Sequence, residues 1–124
     1  MATSQNRLVL QSILQNSTAR SLFQKFLESV YCAENLLFLD SVENFRKLTD
    51  PAELKATAQK IWDEYLSESA TYQVNLDAST LDVIKTSLAH PTSSTFDAAI
   101  EEVLAMLEHD SVPKFLRSPL YLGM

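Results

Sequence analysis

Sixteen carboxylates, two histidines and one cysteine are the residues of this 124-residue chain best suited to acid–base, nucleophilic or metal chemistry. Their spacing assembles none of these. His90 and His109 are too far apart to form a helical metal pair, and no HExxH motif occurs. Cys32 stands alone, which excludes an internal disulfide and a CxxC zinc site. The carboxylates form no cluster with histidine or cysteine of the kind an active site needs. Gly123 is the only glycine. A glycine-rich phosphate loop and a dinucleotide fingerprint are therefore excluded, since both need glycine where backbone meets phosphate. Short polar residues beside apolar stretches remain, and their chemistry is hydrogen bonding. Glu34, Asn35, Asn75, Asp110 and Ser111 are among them, and nothing in their spacing alone marks them as a site. Each also has a plain structural use. Glu34 suits a first helical turn, where the dipole favours a carboxylate. Asn75 suits a turn that bonds its own backbone. Asp110 and Ser111 suit the cap of a last helix.

The elements that carry these residues read as helices. Leu10, Ile13 and Leu14 mark a short first helix by their 3.6-residue period. Ser17 or Thr18 is expected to cap the next, with Leu22, Phe23, Phe26, Leu27 and Val30 on its inner stripe. A third helix carries Leu36, Leu39, Val42 and Phe45, with Leu37 and Phe38 widening its apolar face. Asp50-Pro51-Ala52-Glu53 gives the clearest start in the chain: a capping acceptor, a proline at the first helical position, and a carboxylate three residues after the cap. Leu54, Ala58, Ile61, Trp62 and Tyr65 then share a face, and Trp62, Tyr65 and Phe96 are expected in the core. Residues 67–78 break the pattern and predict an ordered loop containing Asn75. A helix restarts at Ser79-Thr80-Leu81-Asp82 and ends near His90-Pro91. Phe96, Ile100, Val103, Leu104 and Leu107 predict a long amphipathic helix. Pro113 is tolerated in a first turn, which predicts a last short helix beginning near Ser111 and carrying Phe115 and Leu116.

The chain is thus expected to be one all-α domain over residues 1–124, with about seven or more helices. Apolar residues make up 46% and charged residues 21%, which suits a packed core rather than disorder. The net charge of −6 argues against nucleic acid, whose binders show a basic stripe, and permits a basic protein partner. No apolar run reaches membrane-spanning length. Met1-Ala2-Thr3-Ser4-Gln5-Asn6 reads as neither a signal peptide nor a myristoylation site, so a cytoplasmic location is expected.

Three segments taken together are more specific. They are Phe26-Leu27-Glu28-Ser29 running through Tyr31-Cys32-Ala33-Glu34-Asn35-Leu36-Leu37-Phe38 to Val42-Glu43-Asn44-Phe45; Ile61-Trp62-Asp63-Glu64-Tyr65-Leu66 followed by Val74-Asn75-Leu76-Asp77; and Phe96-Asp97-Ala98-Ala99, Leu107-Glu108-His109-Asp110-Ser111 and Phe115-Leu116-Arg117-Ser118 with Tyr121. Over about residues 17–122 the chain resembles a regulator of G-protein signalling (RGS) domain. The resemblance implies a two-lobed helical fold. One lobe is an antiparallel four-helix bundle over about residues 33–109, and the other joins the N- and C-terminal helices.

It also implies a function. Such a domain binds the switch regions of a GTP-bound heterotrimeric Gα subunit and accelerates GTP hydrolysis, with no cofactor and no chemistry of its own. A monomer recruited through Gα to the inner face of the plasma membrane is expected. Carried over by motif, the Gα-binding residues are Glu34, Asn35, Asn75, Met106, Asp110, Ser111 and Lys114. The chain departs from the usual pattern at Cys32, Leu39, Leu81, Pro113 and Lys114, the last replacing an arginine and losing its planar fork. Three other readings compete: an RGS-like scaffold that binds Gα or another protein without activation, a helical adaptor of the death-domain type, and a metabolic enzyme. Retention of Asn75 with Glu34-Asn35 and Asp110-Ser111 favours the activator over the scaffold, the order of the motifs over about a hundred residues disfavours the adaptor, and the lack of a carboxylate cluster with histidine or cysteine disfavours the enzyme.

Overall fold

The computed structural model describes residues 4–123, and the first three residues of the N-terminal reading above lie outside them. Among the described residues every regular element is helical. The helices are α1 Gln5–Gln15, α2 Ser17–Ser29, α3 Ala33–Arg46, α4 Pro51–Ile61, α5 Ala78–Ser87, α6 Asp97–Met106, α7 Val112–Leu116 and α8 Pro119–Leu122. Two π-helical turns extend α4 and α6, at Trp62–Leu66 and Leu107–Ser111. The chain divides into two compact units. One joins the segments up to Ala33 with those from Val103 onward, and the other runs Glu34–Glu102.

The terminal unit is centred on Phe115, which is fully buried. The rings of Phe23, Phe26 and Tyr121 lie 5.1, 5.7 and 5.4 Å from it, two of them edge-on. Leu10, Leu27, Val103, Leu107 and Val112 complete this core. Ser4 caps α1 by accepting from the Arg7 N–H at 3.0 Å. The cap of α2 is Asn16, whose Oδ1 accepts from the Ala19 N–H at 2.9 Å, and not Ser17 or Thr18 as the sequence suggests. Asn16 is extended at φ −103°, ψ 117°, so α2 begins one or two residues earlier, and asparagine is as good an acceptor there as serine.

The exit of α2 is a Schellman turn. Cys32 N–H donates to the Leu27 carbonyl at 2.8 Å and Tyr31 N–H to the Glu28 carbonyl at 3.2 Å. Tyr31 occupies the left-handed position of that turn, at φ 60°, where glycine is usual.

The second unit is built from α3, α4, α5 and the first part of α6. Its aromatic centre is Phe96, whose ring meets Phe45 at 5.2 Å and Phe38 at 6.3 Å, both edge-on. Phe38 also meets Tyr65 at 5.7 Å. The buried stripe of α3 is Asn35, Phe38, Val42 and Phe45 with Leu36, whereas Leu39 is only half-buried. The inner face is therefore turned from the expected one, and a polar residue stands on it. Asp50 caps α4 as expected, accepting from the Glu53 N–H at 3.0 Å. Tyr65 and Phe96 are in the core, but Trp62 is half-buried and lines a surface hollow with Leu66, Leu81 and Lys85.

Candidate functional site

The candidate residues fall in both units. In the second unit, Glu34 and Asn35 open α3. Glu34 is half-buried in the first turn, where the helix dipole favours its charge. Asn35 is 4% exposed and shares the stripe of Phe38, Val42 and Phe45. Helical periodicity could have placed it there, since 35, 38, 42 and 45 follow the 3.6 spacing.

Asn75 lies on the segment between the first π turn and α5, and it is exposed. The segment is ordered by its own backbone. Tyr72 N–H donates to the Glu64 carbonyl at 3.0 Å and Val74 N–H to the Tyr65 carbonyl at 2.8 Å. Gln73 donates its side-chain amide to the Ser67 carbonyl at 3.2 Å. Val74 is buried and anchors the residue before Asn75 in the core. Beyond Asn75, the Asp77 N–H donates to Glu102 Oε2 at 3.0 Å. Glu102 also accepts from the Thr80 hydroxyl. No signal in the sequence points to this carboxylate, because it lies on α6 and acts on the start of α5.

In the terminal unit, Met106 ends α6 and is half-buried. Asp110 and Ser111 belong to the π-helical turn and do not cap a new helix. Ser111 is right-handed helical at φ −75°, ψ −42°, with no side-chain capping bond, and the Val112 N–H donates to the Leu107 carbonyl. The helix thus runs on from α6 into α7, and Pro113 sits just beyond the wider turn. The turn sorts its side chains sharply. Ser111 is 4% and Glu108 5% exposed, while His109 and Asp110 face solvent. Lys114 Nζ pairs with Asp110 Oδ1 at 2.9 Å, one turn apart on the exposed face. Buried Glu108 accepts from the Ser4 hydroxyl, and its Oε1 lies 3.4 Å from Arg7 Nε. His109 Nε2 lies 3.3 Å from its other oxygen. The N-terminal end of α1 is thereby tied to the turn that carries Asp110 and Ser111. The sequence did not reveal this partnership, since Ser4 and Glu108 are 104 residues apart.

The model of the regulator of G protein signaling domain matches residues 9–124. The chain belongs to this family. Among curated proteins, the domain is 36% identical over 112 residues to Regulator of G-protein signaling 5 of Bos taurus, covering 90% of this chain and 62% of that protein. It is 37% identical over 112 residues to Regulator of G-protein signaling 18 of Rattus norvegicus, covering 90% and 48%. It is 37% identical over 111 residues to Regulator of G-protein signaling 16 of the same species, covering 90% and 56%. The chain therefore spans roughly half to two-thirds of the length of these relatives. The all-helical architecture agrees with the RGS fold. Among the described residues, no group of three or more His, Cys, Asp or Glu side chains could hold a metal ion. None of the described helices is long and apolar enough to cross a membrane.

Proposed function

We propose that this RGS domain binds the GTP-bound α subunit of a heterotrimeric G protein and accelerates its GTP hydrolysis. Membership of the family across residues 9–124 is the observation that carries the reading. The two units are taken to work as one domain over residues 1–124, as a monomer, in the cytoplasm. Gα brings it to the inner face of the plasma membrane.

The chemistry belongs to Gα. Its arginine is supplied in cis and its glutamine orients the attacking water, so an activator has no need to insert a reacting group. The domain acts by holding mobile switch segments in the arrangement of the transition state. Stronger binding of that state than of the ground state is what lowers the barrier. A thousandfold acceleration needs about 4 kcal/mol of such preference. The contact set is Glu34, Asn35, Asn75, Met106, Asp110, Ser111 and Lys114. An exposed Asn75 between two pinned backbone positions suits a group that must meet a partner without reorganising. Asn35 and Ser111, turned inward, suit fixing their neighbours Glu34 and Asp110 more than broad contact of their own.

The test is single-turnover GTP hydrolysis by a panel of purified Gα subunits. It is paired with titration against Gα carrying GDP, a GTP analogue, or GDP with a planar phosphoryl mimic. Acceleration and tightest binding to the mimic-bound form are expected. Equal affinity for all three forms would remove the mechanism, because a partner blind to state shifts no equilibrium. Binding without acceleration would favour the scaffold reading.

A further inference from the structure

Loop 67–77 is held upstream of Asn75 by the buried Val74 and its bond to Tyr65. Downstream, the restraint comes from another helix. Asp77 is the N-cap of α5, yet its own side chain makes no capping bond, and the first turn of α5 contains no acidic residue. Glu102 of α6 fills both roles. One carboxylate oxygen accepts from the Asp77 N–H at 3.0 Å, and the other accepts from the Thr80 hydroxyl. Its negative charge thus lies at the positive end of the α5 dipole, against the free N–H groups that open a helix. Glu102 is partly buried, so water competes less well for those donors.

We infer that Glu102 is a positioning residue for Asn75: it fixes the exit of the loop two residues downstream and so sets where the Asn75 carboxamide is presented. The inference rests on the activator reading above. Without Glu102 the loop keeps Val74 as its anchor and loses the other end. Asn75 then samples several positions, and the binding of a fixed switch arrangement bears the cost of ordering it.

The experiment is a cycle of Glu102→Ala, Asn75→Ala and the double variant. Each is measured for single-turnover acceleration of one responsive Gα and for affinity to its mimic-bound form. Glu102→Ala is expected to weaken both by roughly two- to tenfold, the scale of one net hydrogen bond. In the Asn75→Ala background the same change is expected to cost less than about twofold, since residues that act through one another are non-additive. Glu102→Gln keeps an acceptor oxygen and an amide that the rotatable Thr80 hydroxyl can accept from, so it is expected to recover most of the loss. Amide exchange at Asp77 reports the local structure directly, and it should quicken in Glu102→Ala and not in Asn75→Ala. Full activity of Glu102→Ala, or an equal loss in both backgrounds, overturns the positioning role alone. If the unaltered domain accelerates no Gα subunit, the activator reading falls and this role falls with it.

Discussion

Tyr31 offers a test of how this backbone is stabilised. It holds the left-handed position of the turn between α2 and α3, at φ 60°, and the residue is 90% exposed. The turn's two hydrogen bonds are made by main-chain N–H groups, so the phenol contributes nothing to them. Tyr31→Gly removes the clash between Cβ and the following carbonyl, which costs an L-residue about 1–2 kcal/mol in this region. It also gives the unfolded chain more freedom, an opposing effect of about 0.4–1 kcal/mol. Because almost no area is buried, the lost ring adds little. The net expectation is stabilisation by about 0.5–1 kcal/mol, a rise in melting temperature of roughly 2–4 °C for a domain of this size.

Urea denaturation and calorimetry measure this, with Tyr31→Ala as the control. Alanine removes the ring but keeps Cβ, so it is expected to match the parent within about 0.5 kcal/mol, as exposed substitutions do. The denaturant slope should not change, since the surface exposed on unfolding is nearly the same. If the glycine and alanine variants unfold together, left-handed strain is not what Tyr31 contributes, and the reasoning fails.

The other predictions concern the core and the proposed contact set. Phe115→Ala, which empties the centre of the terminal unit, is expected to cost about 3–5 kcal/mol in chemical denaturation, and a loss under about 1 kcal/mol would mean the unit repacks around it. Asn75→Ala is expected to leave the melting temperature unchanged and to lower Gα affinity by about 1.5–3 kcal/mol, the value of a hydrogen bond to a charged or strongly polarised partner. Normal melting with full acceleration would make Asn75 a turn residue only. Lys114→Arg is expected to raise affinity by about 0.5–1.5 kcal/mol, because a guanidinium can keep the Asp110 bond and still offer a second parallel donor. Calorimetry on the Arg and Ala variants decides it, and unchanged affinity in both would make Lys114 a solvated side chain.

What could be read from the sequence was local. Asp50-Pro51-Ala52-Glu53 announced α4 because cap, proline and carboxylate all act within one turn. The loop over 67–77 announced itself by losing the apolar period. The observed α3 face differs from the expected one because Leu36 through Leu39 is an unbroken apolar run, whose phase periodicity alone does not set. Asn35, which the resemblance implies as a Gα contact, follows the spacing of Phe38, Val42 and Phe45 and lies inside with them. The ties made by Glu102 and Glu108 were illegible for a different reason. Both carboxylates look like solvated helix charges, and only the folded chain brings them to Asp77, Thr80, Ser4 and Arg7.

The π-helical turn at Leu107–Ser111 accounts for the difference at Asp110 and Ser111 and ties these proposed contact residues to the core. A regular α-helix continued from Val103 and Leu107 would bring position 114 to the inner face, and Lys114 with it. The structure instead buries Leu107, Glu108, Ser111, Val112 and Phe115, and the Val112 N–H reaches back five residues to Leu107. One extra residue in the turn shifts the phase of everything after it by about 100°. That shift carries Phe115 into the aromatic cluster and leaves Asp110 and Lys114 paired on the exposed side. The sequence disguised it because Asp110-Ser111 before Pro113 also spells a helix start, and a cap needs no change of phase. Wide turns of this kind are costly in hydrogen-bond geometry and occur often where function needs a side chain re-aimed. Here the same inserted residue that seats Phe115 sets the direction of Asp110, so packing in the terminal unit and the exposure of the proposed contact residues Asp110 and Lys114 have one structural cause.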